Sequence, residues 1–274
     1  MQLTPAELKR LSGIIARRSG IAFPEARWPF LQHTAQGVMV RGGFTDGSRW
    51  TEELDASQET AGGLYSELEE ALQIHETSFF RYERHHSMLG EIVIPALARD
   101  RVPQWEPRIR IWSVGCSTGE EPYSIAMTVR ESLPHAAGNA VEIVAADTSR
   151  EALVSAQRGC YTSASVRPVP RAYLAKYFVS RPEGFSVVAA LREMVRFVHY
   201  DIRRGLYIGK FDVVVCCNVL LYFTDAVKRQ VLGRMAAALR RGGYLFLGHA
   251  EGIAPSAEQF DSRRLPGGFV YRRI

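Results

Sequence analysis

The 274-residue chain lacks any long apolar run. Its longest apolar stretches, such as Val213 to Cys217, fall far short of the ~20 residues that cross a bilayer, so direct membrane insertion is not expected. The opening residues, Met1-Gln2-Leu3-Thr4-Pro5, are polar and have no apolar h-region, which argues against a secretory signal and for the cytoplasm. Cysteine is scarce. Cys116, Cys160, Cys216 and Cys217 form no CxxC pair and no Cys/His metal spacing, so neither a disulfide framework nor a metal is expected, and all four read as buried reduced thiols. No long Lys/Arg run occurs and the formal net charge is only +5, a mildly basic balance suited to acidic partners and not to nucleic acid. Repeats and low-complexity tracts are absent, and no helical-repeat extension precedes the end at Ile274, so no added interaction domain is expected and the chain reads as a monomer.

What is present divides in two. With 46% apolar and 23% charged residues, the chain is long enough for a substantial core in one large or two smaller domains. Residues 1–80 carry helical spacing. Thr4-Pro5-Ala6-Glu7 is a capping box with proline at the first helical position, Leu8, Leu11, Ile14 and Ile15 share one face, and Gly20 ends the helix. Trp28 to Val40 and Leu64 to Ile74 repeat the spacing, with Gly42-Gly43 and Asp46-Gly47 as turn signals between them. From about Arg108, short apolar runs alternate with amphipathic helices, the signature of a parallel α/β sheet. The predicted strands are Arg108 to Val114, Val141 to Ala146, Val195 to Tyr200, Phe211 to Cys216, Tyr244 to Gly248 and Phe269 to Arg273. The predicted helices are Glu120 to Glu131, one capped by Thr148-Ser149-Arg150-Glu151 and ending near Gly159, and Asp225 to Arg240, which stops at Gly242-Gly243. Residues 159–195 are too long for a loop and read as a small inserted subdomain.

Trp112-Ser113-Val114-Gly115-Cys116-Ser117-Thr118-Gly119-Glu120-Glu121 runs from a strand through a glycine turn into a helix. Gly115 and Gly119 let a ligand approach the backbone closely. Asp147 then ends the next strand, where an acid accepts both hydroxyls of a ribose. In this order the two features point to an adenosine ligand, and charge decides which one. A dinucleotide would set its pyrophosphate on this helix N-terminus, where Glu120 and Glu121 repel it. S-adenosylmethionine has no phosphate, and its sulfonium and ammonium attract carboxylates. The G-x-G-x-x-G spacing of NAD sites is also missing. Glu121 stands where it would complete a capping box with Thr118, a role compatible with ligand contact.

Three motifs resemble the CheR-type chemotaxis receptor methyltransferases over nearly the whole chain. Ser117-Thr118-Gly119-Glu120-Glu121-Pro122-Tyr123-Ser124 matches the family's S-T-G-E-E-P-Y-S without a change. His75-Glu76-Thr77-Ser78-Phe79-Phe80-Arg81 is similar to its N-x-T-x-F-F-R, and Cys217-Asn218-Val219-Leu220-Leu221-Tyr222-Phe223 to its R-N-V-x-I-Y-F. The resemblance implies an α/β fold: a Rossmann-like S-adenosylmethionine methyltransferase sheet of seven strands over 81–274, a small antiparallel β-subdomain at 159–195, and an all-α N-terminal domain over 1–80. It implies cofactor contacts at His75, Thr77, Arg81, Gly115, Glu120, Glu121, Asp147, Asp201, Ile202, Cys217 and Asn218. Arg81 and Tyr222 would flank the reacting methyl as the catalytic residues. His75 stands where the family has Asn, and Cys217 where it has Arg; a thiol does not replace a guanidinium. Outside the motifs, Phe79 and Phe80 read as core packing, His85-His86 as solvated surface, and Asp201 also as a strand terminator.

The activity so implied is methyl esterification of glutamate side chains on the cytoplasmic domain of a methyl-accepting receptor, with S-adenosylhomocysteine as coproduct. A carboxylate is already ionised at neutral pH, so the reaction needs alignment and exclusion of water but no strong base. No nucleophile–base constellation is evident in the chain. A methyltransferase for another protein or a small molecule, or a silent cofactor- or peptide-binding module, are the alternative readings.

Overall fold

The computed structural model describes residues 2–57, 63–73, 76–100, 109–133, 141–205, 208–253 and 258–274. Its internal contacts form two compact units, Met1–Ile74 with Tyr222–Lys228, and His75–Leu221 with Arg229–Ile274.

The first unit is helical. Helix α1 (Pro5–Ser19) opens on the expected capping box: the Thr4 hydroxyl accepts the Glu7 N–H while the Glu7 carboxylate accepts the Thr4 N–H. Such a cap contributes about 1 kcal/mol. Helix α2 (Trp28–Arg41) follows, and α3 (Gly47–Ala56) corrects the sequence reading. Asp46-Gly47 is not a turn between helices but a helix start, with the Asp46 carboxylate accepting the N–H groups of Ser48 and Arg49 at 2.8 and 3.1 Å. An aspartate bonding the backbone two residues on opens a turn or a helix equally well. Helix α4 (Leu64–Ala71) completes the set; the predicted end at Ile74 lies outside the described residues. Leu11, Ile14 and Ile15 pack with Leu31, Val38, Trp50, Leu54 and Leu68 in one core. Each such side chain contributes roughly 1.5–3 kcal/mol on burial. Residues Tyr222–Lys228 join this unit by pairing with the chain after α1: Ala22 N–H donates to the Tyr222 carbonyl at 2.7 Å, and Thr224 N–H to that of Gly20 at 2.8 Å.

Among the described residues the second unit contains ten strands: β1 (Ile109–Val114), β2 (Val141–Asp147), β3 (Cys160–Tyr161), β4 (Phe178–Arg181), β5 (Gly184–Val187), β6 (Val195–His199), β7 (Phe211–Cys216), β8 (Leu239–Leu247), β9 (Phe260–Leu265) and β10 (Gly268–Arg273). Seven of them form one sheet in the order β6-β2-β1-β7-β8-β10-β9. The first five run parallel, and β10 is antiparallel to both β8 and β9. The 159–195 stretch forms a separate antiparallel sheet, β3-β5-β4. The fold is the expected α/β one: a Rossmann-like sheet of seven strands with a small antiparallel subdomain.

Helices α5 (Glu83–Met88) and α6 (Ile94–Asp100), joined through a π turn, precede β1. Then come α7 (Glu120–Ser132), α8 (Arg150–Arg158), α9 (Arg171–Tyr177), α10 (Ala189–Arg192) and α11 (Asp225–Ala238). Ser149 caps α8 by accepting the Ala152 N–H. Helix α11 stops two residues short of its predicted end at Arg240. Leu239 continues the helical apolar stripe but pairs with Phe211 and opens β8, and the ladder then slips around Gly242-Gly243 before Tyr244 meets Val213. A sheet partner overrides the helical period there. Strand β9 lies beyond the strands that the sequence pattern predicts. The cysteine reading also needs correcting: Cys116 and Cys216 are buried and Cys217 half-buried, but Cys160 is exposed on an edge strand of the small sheet.

Candidate functional site

Strand order reverses between β1 and β7, and in open α/β sheets ligands bind in the crevice outside the carboxyl ends of the strands at such a reversal. The sequence-predicted residues of the second unit follow those ends. Gly115, Glu120 and Glu121 come after β1, Asp147 ends β2, Asp201 and Ile202 lie past β6, and Cys217 and Asn218 past β7. His75 lies outside the described residues. Thr77 is half-buried in the irregular stretch before the turn at Phe79–Arg81.

Among the described residues only three non-glycines have left-handed backbone: Phe80 (φ 53°), Ser117 (φ 48°) and Asn218 (φ 62°), one in each motif. Such conformations cost of order 1–3 kcal/mol each and persist only where surroundings enforce them. Here each residue's own N–H is held by a side chain. Phe80 donates to Ser124 Oγ at 3.0 Å, Ser117 to Asp147 Oδ2 at 2.7 Å, and Asn218 to Glu251 Oε2 at 2.7 Å. Asp147 also accepts the Ser149 N–H at 2.8 Å, so one carboxylate joins the turns after β1 and β2.

The β1–α7 turn needs its glycines. Gly115 and Gly119 have φ of 71° and 97°, and a Cβ on Gly119 would meet Ala156 and the Tyr161 hydroxyl at 2.9 Å. The expected capping box of Thr118 with Glu121 does not form. Gly119 takes the cap position, the Thr118 hydroxyl donates to Glu120 Oε2 at 2.7 Å, and Glu121 Oε1 instead accepts from Ser113 Oγ at 2.7 Å. Burial raises the carboxyl of Glu120 above its ordinary range. Burial also pushes Glu121 up to about 7, with the Glu251 charge adding to it, while hydrogen bonds from Ser113 and Cys217 and the Arg81 charge pull the other way.

Arg81 donates to the Glu76 carbonyl at 2.6 Å and to Glu76 Oε1 at 3.1 Å. With its amide oriented to satisfy both ends, Asn218 donates to the Tyr82 hydroxyl and accepts both terminal nitrogens of Arg81 at 2.8 and 3.1 Å. Asp201 is gripped by Arg203, whose guanidinium reaches both carboxylate oxygens. Burial opposes the charge of Asp201, but the bonds and charge of Arg203 prevail and hold its carboxyl below the usual range. Ile202 is buried, and its carbonyl accepts from Arg234. Tyr222, in the helical unit, is half-buried with the Arg27 guanidinium 4.7 Å above its ring centre.

His85-His86 is not solvated surface. Both rings are enclosed because α5 turns them inward: His85 packs against Tyr82, Phe246 and His249, and His86 bonds the Thr128 hydroxyl at 3.0 Å beside Phe80. Burial, helped by His249, lowers His85 to about 4, and burial, helped by His85, lowers His86 to about 3, so both are neutral at physiological pH. With Glu121 and Cys217 they line a small cavity. Burial, then the Glu121 charge, drives the Cys217 thiol well above its ordinary range, so it is no nucleophile. Phe79 is fully buried, as expected, and Phe80 partly so.

Sequence reasoning missed Glu251. It sits past β8 and accepts three backbone N–H groups: Asn218 at 2.7 Å, Gly248 at 2.8 Å and Leu220 at 2.6 Å. Unlike Asp147, which ends its strand, Glu251 lies in the loop four residues past β8, where the local pattern carries no signal.

The donor set fits S-adenosylmethionine. Two enclosed carboxylates stand at the helix start where a phosphate would need neutral donors, and Ser117 Oγ is buried in the same turn without a hydrogen-bond partner. Comparison with known proteins agrees. Residues 75–268 match the family model described as CheR methyltransferase, SAM binding domain. The chain is 30% identical to a "Chemotaxis protein methyltransferase" of Borreliella burgdorferi over 92% of its length and 90% of the relative's. It is 36% identical to "Chemotaxis protein methyltransferase 1" of Pseudomonas aeruginosa over 78% and 80%, respectively. It is 30% identical to the Escherichia coli "Chemotaxis protein methyltransferase" over 96% and 90%. The cofactor is S-adenosylmethionine, and the chain belongs to the CheR methyltransferase family.

Proposed function

We propose that this methyltransferase esterifies glutamate side chains on the cytoplasmic domain of a methyl-accepting chemotaxis-type receptor, acting in the cytoplasm. The names of its relatives support the chemotaxis setting, and no helix among the described residues is long and apolar enough to cross a membrane. The observation that carries the choice of a carboxylate acceptor is that, among the described residues lining the small cavity, the groups that could take a proton are enclosed or already bonded. His85 and His86 are neutral and enclosed, Cys217 is held as a thiol, and Glu121 is bonded to Ser113. A glutamate acceptor is ionised at neutral pH and brings its own nucleophile.

When bound, S-adenosylmethionine supplies an activated methyl group on a sulfonium. Asp147 would accept the ribose hydroxyls with the lone pairs left by its two backbone bonds, and Glu121 would face the positively charged methionine end. Asp201 and Ile202 would flank the adenine. Arg81, held by Glu76 and Asn218, would orient a carboxylate by a paired donor set. Tyr222 would orient the methyl or the attacking oxygen; the family resemblance supports that role. Esterification removes one negative charge from the receptor surface, a change of the kind that shifts a signalling equilibrium.

The test is the bond formed. Receptor cytoplasmic domain labelled with methyl-tritiated cofactor should release its label as methanol in mild alkali. Alkali-stable label on the acceptor overturns the proposal, because N-methyl groups survive that treatment.

A further inference from the structure

Glu251 follows β8, beyond all three motifs, and lies 33 positions from Asn218 and 31 from Leu220, the residues it binds in the β7 loop. A carboxylate that merely ended β8 would take the Gly248 N–H alone. Instead Oε2 is shared between the N–H groups of Gly248 (2.8 Å) and Asn218 (2.7 Å), while Oε1 takes that of Leu220 (2.6 Å). One side chain therefore ties the carboxyl-end loops of two adjacent parallel strands, at the end of the sheet where the site lies. The approach is tight: a Cβ on Gly248 would sit 2.7 Å from both Glu251 Oε2 and the Asn218 side-chain amide, and 3.0 Å from the Tyr82 hydroxyl.

The residue held most directly is the strained one. Asn218 has φ 62°, and its only backbone donor goes to Glu251. Asparagine tolerates this region better than most residues but at a cost, so the conformation needs an enforcing partner. In it the Asn218 amide reaches outward in two directions, donating to Tyr82 and accepting both Arg81 nitrogens. A carboxylate, a left-handed backbone, an amide and a guanidinium thus form one continuous chain of contacts.

We propose that Glu251 is a positioning residue of the methyltransferase site, locking Asn218 in the left-handed conformation that aims its amide at Arg81 and Tyr82. This rests on the functional reading above for the roles of Asn218 and Arg81. Glu251 acts through Asn218, whose N–H its carboxylate accepts. Its charge also reaches Glu121, where it contributes to keeping that carboxyl protonated.

A double-mutant cycle in the full chain tests this, using calorimetry with S-adenosylhomocysteine and thermal unfolding of E251A, N218A and E251A/N218A. The loss of three bonds to a charged acceptor should weaken binding by about tenfold or more in E251A. If Glu251 acts through the Asn218 amide, the double variant should bind within about twofold of the weaker single one, because the second change removes an interaction already lost. If Glu251 only braces the loops, the amide contributes independently and the two penalties multiply. Full multiplication, or wild-type binding by E251A, overturns the proposal. Receptor assays should show turnover falling with little change in the acceptor KM. Should E251A fail to fold, E251Q takes its place in the same cycle: it keeps the length and one acceptor oxygen but turns an NH2 toward a backbone N–H. A wild-type chain that binds the cofactor yet forms no receptor ester would sink the functional reading, while the coupling between Glu251 and Asn218 would still be decided by the cycle.

Discussion

Glu121 makes cofactor affinity depend on pH near neutrality. Its carboxyl is enclosed, with Ser113 Oγ at 2.7 Å and the Cys217 thiol against it, and burial raises it from 4.5 to about 7. The ligand-free site is therefore largely protonated at pH 6 and largely ionised at pH 8. A sulfonium and an ammonium favour the ionised form, so binding at pH 6 must release a proton. The dissociation constant of S-adenosylmethionine should then rise about tenfold between pH 8 and pH 6, following the fraction ionised. At pH 7 about half a proton per site should be released, measurable by calorimetry in buffers of different ionisation enthalpy. Glu121→Gln should flatten the profile at the weak-binding level. The same group acts oppositely on the ligand-free fold. The folded state binds the extra proton between pH 4.5 and 7, so stability from this group is fully present below pH 4.5 and about 3 kcal/mol is lost as pH rises through 7. A wild-type affinity that stays flat from pH 6 to 8, with no buffer-dependent heat, would refute an ionised Glu121 at the bound cofactor.

Two further outcomes are expected. Asp147→Ala should weaken cofactor binding by about 1.5–3 kcal/mol through lost charged hydrogen bonds, and it also frees the Ser117 N–H; calorimetry showing unchanged affinity, or tight NAD binding, contradicts this. Arg81→Ala and Tyr222→Phe should each lower turnover by tenfold or more while moving the thermal midpoint by only about a degree or two, and normal turnover in both would return these residues to structural roles.

Local features are legible in the amino-acid sequence. The capping box at Thr4–Glu7, the Ser149 cap, the glycine turn after β1 and the alternation of strands and helices are all written within a few residues of where they act. So are the three motif segments, each of which contains one left-handed residue. Even local signals fail where one pattern serves two structures, as when Asp46-Gly47 opens α3, or where a partner strand captures Leu239 from the helical stripe. Everything else depends on the folded chain. His85 and His86 look like solvent-facing residues until α5 packs against the sheet unit's core and removes their charge. Glu121 takes Ser113, not Thr118, because the strand and helix fold back on each other around Gly119. Glu251 is one more acid in a loop until β7 and β8 become neighbours, and only then do three orphan N–H groups converge on it. Periodicity and caps are set by contacts within a turn or two of the chain, whereas desolvation and shared acceptors exist only after distant segments have met.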